Sequence, residues 1–418
     1  MKTTLPTIAL LLSLTPLTSL ALDWPQWRGH HRDGHSQETG IAKSWPKEGP
    51  KTLWQNSDIG TGYASPVIAP NHVFTLSNDG PDNEFVIALS NQTGEKLWST
   101  SIGKVGKPDQ RPSYPAARST PTLDGPNLYA LSSDGDLACL EQSTGKILWS
   151  THLPSQYNGE SGTWAYSESP LVIDNLVICS PGGPTATLLA LDKFTGEPAW
   201  KCPLPGADKA GYSSPIATTI NDTHQIIQIM EKSLVGIETK TGKVLWSYNR
   251  TADGSPAVIL TPVVQQNLVY SAGGRVGGAL AEITRNGDSF AAQEIYFSNR
   301  LPTSTGGAVL VGDYLYGAGN QTLLCIHFKT GEIAWEERSP AAPGSLLAIN
   351  GHLILHGDNG QIALVEASPE GYREKAVFTP PNEPDRGQAK AWAHPAVANG
   401  KLYIRDWTSL WCFDLMPH

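Results

Sequence analysis

Between residues 88 and 335 one eleven-residue pattern of apolar and polar positions returns five times. The copies are "ALSNQTGEKLW" (88–98), "CLEQSTGKILW" (139–149), "ALDKFTGEPAW" (190–200), "GIETKTGKVLW" (236–246) and "CIHFKTGEIAW" (325–335). Each reads as a hairpin. The small first residue lets a neighbouring sheet approach, and the apolar second residue ends a strand. Gly94, Gly145, Gly196, Gly242 and Gly331 supply the positive φ that the turn requires. The tryptophan starts the next strand and covers the seam between adjacent sheets.

Spacing turns the pattern into a count. Trp98, Trp149, Trp200 and Trp246 lie 51, 51 and 46 residues apart, followed by a gap of 89 to Trp335. That gap holds a weakened copy, "AEITRNGDSF" (281–290), with Asn286-Gly287 as its turn and Tyr296 in the tryptophan slot. A second weakened copy, "ALVEASPEGYREKAVF" (363–378), puts Phe378 in the slot. The C-terminal "LWCFDL" (410–415) begins a frame that has no tryptophan, while Trp54 has no frame before it. The N-terminal strand therefore completes the last unit, which removes the free sheet edges of an open array.

The expectation is all-β: an eight-bladed β-propeller of four-stranded blades with tryptophan-docking repeats, the last blade closed by the N-terminal strand. An open solenoid leaves both half-units unexplained. Inner strands open on a small residue and a proline, as in "SPV" (65–67), "TPT" (120–122), "SPL" (169–171) and "HPA" (394–396), where the missing N–H is harmless. Gly (41) and Pro (32) are abundant and Met (3) is scarce, which favours strands and tight turns.

The first residues, "MKTTLPTIALLLSLTPLTSLA", combine one lysine, an apolar stretch and small residues at Ser19 and Ala21. This predicts a signal peptide over 1–21 cleaved near Ala21, an extension over 22–44 and a propeller over 45–418, with the mature chain periplasmic or secreted. The apolar part is too short and too interrupted to span a bilayer. A net charge of −9 without a basic run argues against nucleic acid and anionic membranes as partners.

The repeated small-Leu-Asp-x-x-Thr-Gly-Lys/Glu-x-x-Trp frame resembles the tryptophan-docking repeat of PQQ-like propellers, a family that includes quinoprotein dehydrogenases and BamB-like assembly proteins. The resemblance covers residues 45–415. Three segments, "DWPQWRGHHRDG" (23–34), "EASPEGYREKAVF" (366–378) and "WAHPAVANGKLYIRDWTSLWCFDL" (392–415), resemble the exported PQQ-like propellers of planctomycetes. The family implies a fold and export more firmly than a function.

Cys139, Cys325 and Cys412 occupy the small first position of the frame in separate blades and read as buried core residues. Cys179 and Cys202 share a blade, which leaves a bridge between them open. The chain lacks CxxCH, HExxH and GxSxG. The Gly-rich loops 180–187 and 271–279 precede no helical pattern and are not read as phosphate cradles. The loop "NDGPDNE" (78–84) reads as a solvated turn before a calcium loop.

The frame turns are short and uniform, so length variation falls on the loops between blades and between second and third strands. Both sets emerge on one face, around the channel mouth. That loop face collects Tyr63, Arg118, Trp164, Glu168, Tyr212, Arg275, Trp392, His394 and the turn Arg405-Asp406-Trp407. Arg118, Trp164, Glu168, Arg275, Trp392 and His394 are the candidate ligand-binding residues: the tryptophans to stack a planar or sugar-like ligand, the arginines to clamp carboxylates. The opposing expectation is a channel plugged by those aromatics. The reading is a monomeric, non-catalytic binding or scaffold protein taking a protein, peptide or glycan, without a cofactor, metal site or catalytic residues. The alternative is a PQQ- and calcium-dependent quinoprotein alcohol or sugar dehydrogenase, for which no adjacent cysteine pair and no calcium-ligand set are found.

Overall fold

The repeated hairpins form, and they stand in a ring. The structure is a computed structural model that describes residues 23–110, 115–303, 306–319 and 321–417. Blades one to seven occupy 67–103, 122–152, 171–202, 216–248, 263–298, 308–338 and 344–378. Each is an antiparallel meander. Blade eight is composite: Ala396–Ala398, Lys401–Asp406 and Ser409–Asp414 are joined at the outside by Thr52–Asn56. Trp54 lies opposite Cys412 in that pair. The chain is thus an eight-bladed β-propeller closed by its N-terminal strand. The only helix among the described residues is the five-residue Leu153–Tyr157.

Register explains the frame's small first residue more directly than the approach of a neighbouring sheet. Ala88, Cys139, Ala190, Gly236 and Cys325 each lie directly opposite the tryptophan of their own blade. Beside each pair the ladder slips by one residue, a bulge that bends the outer strand. The indole then reaches the turn of the next blade. Trp54 Nε1 donates to the Asn91 carbonyl at 3.1 Å, Trp98 to Gln142 at 3.1 Å, Trp149 to Lys193 at 3.0 Å and Trp200 to Thr239 at 3.1 Å. Each acceptor lies three residues before the turn glycine. A Cβ on Gly94, Gly145, Gly196 or Gly242 would stand within 2.8 Å of the docked indole, so only glycine admits the ring.

The weakened copies dock as well. Tyr296 packs on Gly331 and donates to the Phe328 carbonyl at 2.7 Å, and Trp335 donates to Ser368 at 2.9 Å. Phe378 packs on Gly49, in the turn before the closing strand. Trp246 is the departure. Its indole folds onto Gly236 of its own blade and donates to Gln225 Oε1 at 2.8 Å. Blade five extends its outer hairpin to ten residues a strand, which carries Gly287 away from any neighbour.

All five cysteines are buried and unbridged, Cys179 and Cys202 included. Among the described residues no helix is long and apolar enough to cross a membrane. The expected signal peptide, 1–21, lies outside the described residues.

Candidate functional site

At the channel, the small-Pro opening of each inner strand does more than tolerate proline. The His394 N–H donates to Ser65 Oγ at 2.7 Å, Ser65 N–H to Thr120 Oγ1 at 3.0 Å, Thr120 N–H to Ser169 Oγ at 3.0 Å and Ser169 N–H to Ser214 Oγ at 2.9 Å. A belt of hydroxyls from blades one to four thus satisfies backbone donors of blades eight, one, two and three. Buried N–H groups need such partners, which is why the residue before proline is Ser or Thr in blades one to four.

Below this belt the channel is filled by residues 24–36, the "DWPQWRGHHRDG" region and its continuation. Trp24 bridges Ile68 of blade one, and the Pro25 carbonyl accepts from Leu123 of blade two. Arg32 Nη1 donates to the Ser169 and Pro215 carbonyls at 3.0 and 2.8 Å, and Nη2 to Thr122 Oγ1 at 3.2 Å and to the Pro170 carbonyl. Trp27 Nε1 donates to Thr261 Oγ1 of blade five at 2.9 Å, and its ring lies 4.4 Å from His394 of blade eight. Arg28 reaches the Ala308 carbonyl of blade six, and His35–Ser36 pair in parallel with Ala348–Ile349 of blade seven. One segment therefore touches the inner strand of every blade. The channel is plugged by this N-terminal segment.

Above the belt, the loop face gathers part of the expected set. Tyr63 is the hub: its ring centroid lies 5.1 Å from Trp392 and 5.2 Å from Trp407, and the Arg118 guanidinium sits 5.7 Å over it. Burial draws the Arg118 pKa down, opposed by Tyr63, Glu84 and Tyr212. Tyr212 continues the cluster, its hydroxyl accepting from the Trp164 N–H at 3.1 Å with the two rings 5.7 Å apart. Arg118, Trp164 and Trp392 are therefore linked through two tyrosines. Arg275 stands apart, exposed on the second-to-third-strand turn of blade five.

Glu168 and His394 are not at the surface. Glu168 is 2% exposed and accepts from the Ser180 N–H and from Gln228 Nε2 at 2.9 Å, bridging blades three and four. Burial pushes its pKa up to about 7. His394 is 3% exposed, under the mouth and against Trp27. Arg405 is wholly buried and donates to Thr75 Oγ1 at 2.7 Å, Ser77 Oγ at 2.9 Å and the Leu76 carbonyl, tying blade eight to blade one. Burial lowers its pKa to about 9. Glu84, at the end of the 78–84 loop, is another buried brace: it accepts from Ser133 Oγ at 2.6 Å, and burial lifts its pKa to about 8.

A groove of about 830 Å³ opens on the same face across blades six and seven, lined by Gln321, Arg338, Asp358, Asn359 and Lys390 among others. Burial pushes Asp358 up to about 6, while the adjacent Trp392 and Lys390 oppose that shift. Nothing in the repeat pattern pointed to this groove, because its residues come from loops that differ between blades.

A quinone with calcium requires an available carboxylate, and Glu168 does not fit that role, since Ser180 and Gln228 already occupy it. Asp134, Asp136 and His152 bring ligand-type atoms within 4.8 Å of one another. The Lys104 ammonium lies 3.8 Å from Asp134 and Ser132 donates to Asp136 at 2.9 Å, far from the six to eight oxygens of a calcium shell.

The family model described as outer membrane protein assembly factor BamB matches residues 82–337. A tetrathionate hydrolase of Acidithiobacillus ferrooxidans is 26% identical over 232 residues, 53% of this chain and 43% of that protein. BamB of Yersinia pestis is 23% identical over 288 residues, covering 65% of this chain and 68% of that protein. The chain thus spans less than half of the first relative and about two thirds of the second. A europium-containing methanol dehydrogenase superposes with a TM-score of 0.65 at 11% identity, covering 91% of this chain and 89% of that one, a likeness of fold. With its docked tryptophans and closed ring, the chain belongs to the BamB-type family of PQQ-like β-propellers.

Proposed function

We propose that this chain is an exported, non-catalytic binding or scaffold propeller that presents its loop face to a protein, peptide or glycan partner. The carrying observation is the separation of roles at the channel. Two of the carboxylates whose pKa burial raises, Glu168 and Glu84, are withdrawn into inter-blade braces. The mouth is left with aromatic rings and a cation: Tyr63, Trp392, Trp407, Trp164 and Arg118. Aromatic faces and guanidinium groups recognise partners well. The assembly-factor description of the matching family supports the same reading.

Arg338 and Lys390 extend the cationic character along the groove, which favours a carboxylate-bearing partner. The test is titration of the mature protein with an array of acidic and neutral peptides and uronic-acid glycans, beside the Arg118→Ala/Arg275→Ala double variant. Selective binding of acidic members, lost in the variant while the melting temperature holds, is the expected result. A parallel titration with PQQ and Ca²⁺ addresses the dehydrogenase alternative. A bound-quinone spectrum with dye-linked alcohol or sugar oxidation, lost on Glu168→Ala, would replace this proposal.

A further inference from the structure

A second groove, of about 640 Å³, runs along the seam between blades eight and one, and none of the Tyr63 cluster lines it. Its floor follows from strand alternation. In the outer hairpin of blade one, Phe85 lies opposite Ser101 and Ile87 opposite Ser99. Alternate residues of paired strands share one sheet face, and this face, with Lys96 beyond it, lines the groove. The wall is the connection out of blade eight, residues 57–61, with Thr408. Gly60 lets that wall come down on the half-buried ring, since a Cβ there would lie 2.9 Å from Phe85 Cζ.

The loop 78–84 completes the lining, and its backbone is fixed. The Thr61 N–H donates to the Asn78 carbonyl at 3.0 Å, and the Asn78 N–H to the Thr61 carbonyl at 2.9 Å. The Asp79 N–H donates to the Asn83 carbonyl at 3.0 Å, and Asn78 Nδ2 to the Gly80 carbonyl at 3.0 Å. These bonds hold the main chain and leave the side chains of Asp79 and Asn83 to the groove. Asp58 and Asp79 are exposed, and neither carboxylate has a hydrogen bond or ion pair among the described residues. The hydroxyls of Ser99, Ser101 and Thr408 are equally uncommitted.

Uncommitted acceptors and hydroxyls beside an aromatic ring match a ligand with many hydroxyl groups and an apolar face. Two carboxylates against one ammonium disfavour an anion. A peptide main chain finds no strand edge here, because the floor is a sheet face whose N–H and C=O groups lie in the plane of the ladder. The volume suits a short chain rather than a folded domain.

We propose that this groove binds a neutral oligosaccharide, with Phe85 under a sugar ring and the Asp58 and Asp79 carboxylates accepting from its hydroxyls. Hydrogen bonds to an ionised acceptor are the strong ones, so the two carboxylates anchor the chain. The site is separate from the one proposed for an acidic partner, and it takes a different charge class.

The experiment titrates the mature protein by calorimetry with neutral hexasaccharides of glucose, mannose, xylose and N-acetylglucosamine, and with hexagalacturonic acid as the charged control. A neutral chain should bind with a dissociation constant of about 1 mM or tighter. The Asp58→Ala/Asp79→Ala double variant should weaken that binding about tenfold or more, because charge-assisted bonds are lost. Ser99→Trp, which fills the groove and keeps both carboxylates, should weaken it as well. Both variants change exposed positions, so their melting temperatures should match the wild type. The Arg118→Ala/Arg275→Ala variant should bind the neutral chain unchanged, so a failure of the loop-face reading is told apart from a failure of this one. Binding of no neutral chain in the set, or neutral binding untouched by both groove variants or lost with the arginine pair, would overturn the site. Hexagalacturonic acid weakened by the groove variants would overturn the neutral class.

Discussion

At the rim of the ring, Trp98, Trp149 and Trp200 meet the following blade through the same bond, an indole N–H on the carbonyl three residues before a turn glycine. In the channel the inner strands meet a single segment, 24–36, and they meet it in several different ways. Blade one offers a backbone bridge, blade three two carbonyls, blade five a threonine hydroxyl and blade eight a histidine ring. The rim repeats one local solution because each seam poses one local problem. The channel has a single occupant facing all blades, so the symmetry must break there. In a ring of near-identical units, specificity is confined to the places where that happens: the plug and the unequal loops above it.

The sharpest way to break the comparison is to remove each half of the N-terminal segment in turn. Deleting 45–56 takes away the outer strand of blade eight, Trp54 and the Gly49 turn on which Phe378 packs. The expected result is aggregation and loss of a cooperative unfolding transition, seen by gel filtration and thermal circular dichroism, because the edge of Ser409–Asp414 is exposed. Deleting 23–36 should leave a folded ring that melts lower. A 45–56 deletion that melts like the wild type would refute the closure.

Single side chains come next. Trp200→Ala should cost about 3–5 kcal/mol by denaturant unfolding, the usual result of emptying a large aromatic site. Arg32→Ala should cost a comparable amount, about 3 kcal/mol or more, for a different reason: the Ser169, Pro170 and Pro215 carbonyls lose their shared donor. If Arg32→Ala is neutral while Trp200→Ala is not, the plug is dispensable packing and the rim alone holds the ring.

These two residues also mark the limits of what the chain reveals before folding. Trp200 was legible because its frame recurs, and even Tyr296 was recoverable from the Asn286-Gly287 turn and the spacing. The half-frames at the two ends disclosed the closing strand. Arg32 was not legible: its acceptors are backbone carbonyls as much as 183 residues away, and its segment has no second copy to compare. Trp246 carries the full signature yet turns onto its own blade, because docking depends on the length of the next hairpin as well as on the tryptophan. Glu168 was placed on the right loop but at the wrong depth, since its partner Gln228 lies in another blade. Periodicity shows what each unit shares, and burial of the exceptions is decided by contacts that no period encodes.

The buried braces between blades make a pH signature that the rim lacks. Burial raises Glu84 to about 8 and Glu168 to about 7, from an ordinary value of 4.5. Below about pH 4 both folded and unfolded chains hold these protons and the contribution is constant. As pH rises above 4.5, the unfolded chain releases them while the folded chain keeps them, so stability falls with rising pH. The slope is about 1.4 kcal/mol per pH unit for each group, levelling near 7 for Glu168 and near 8 for Glu84. Glu84→Gln should flatten the part of the profile between 7 and 8. Unfolding midpoints that stay constant or rise from pH 5 to 8 would mean that the two carboxyls stay charged when folded.

The smallest expected effect is on stability at Arg275, and it sharpens the comparison from the other side. Arg118 and Arg275 were paired as two clamps on one ligand, yet the fold treats them differently. Arg118 is half-buried over Tyr63, whereas Arg275 is exposed on the blade-five turn. Its backbone φ of 69° places it in the left-handed region, so alanine neither relieves nor greatly worsens the turn. Arg275→Ala should therefore move stability by no more than about 0.5 kcal/mol, within the range of ordinary surface substitutions. Arg118→Ala should cost more, about 1 kcal/mol, through its lost contact with Tyr63. If the mouth and the blade-five turn hold one acidic partner together, each single variant weakens binding and the double variant weakens it further. If Arg275→Ala leaves affinity unchanged while Arg118→Ala does not, the partner sits over the Tyr63 cluster alone and the binding face is narrower than the loop face.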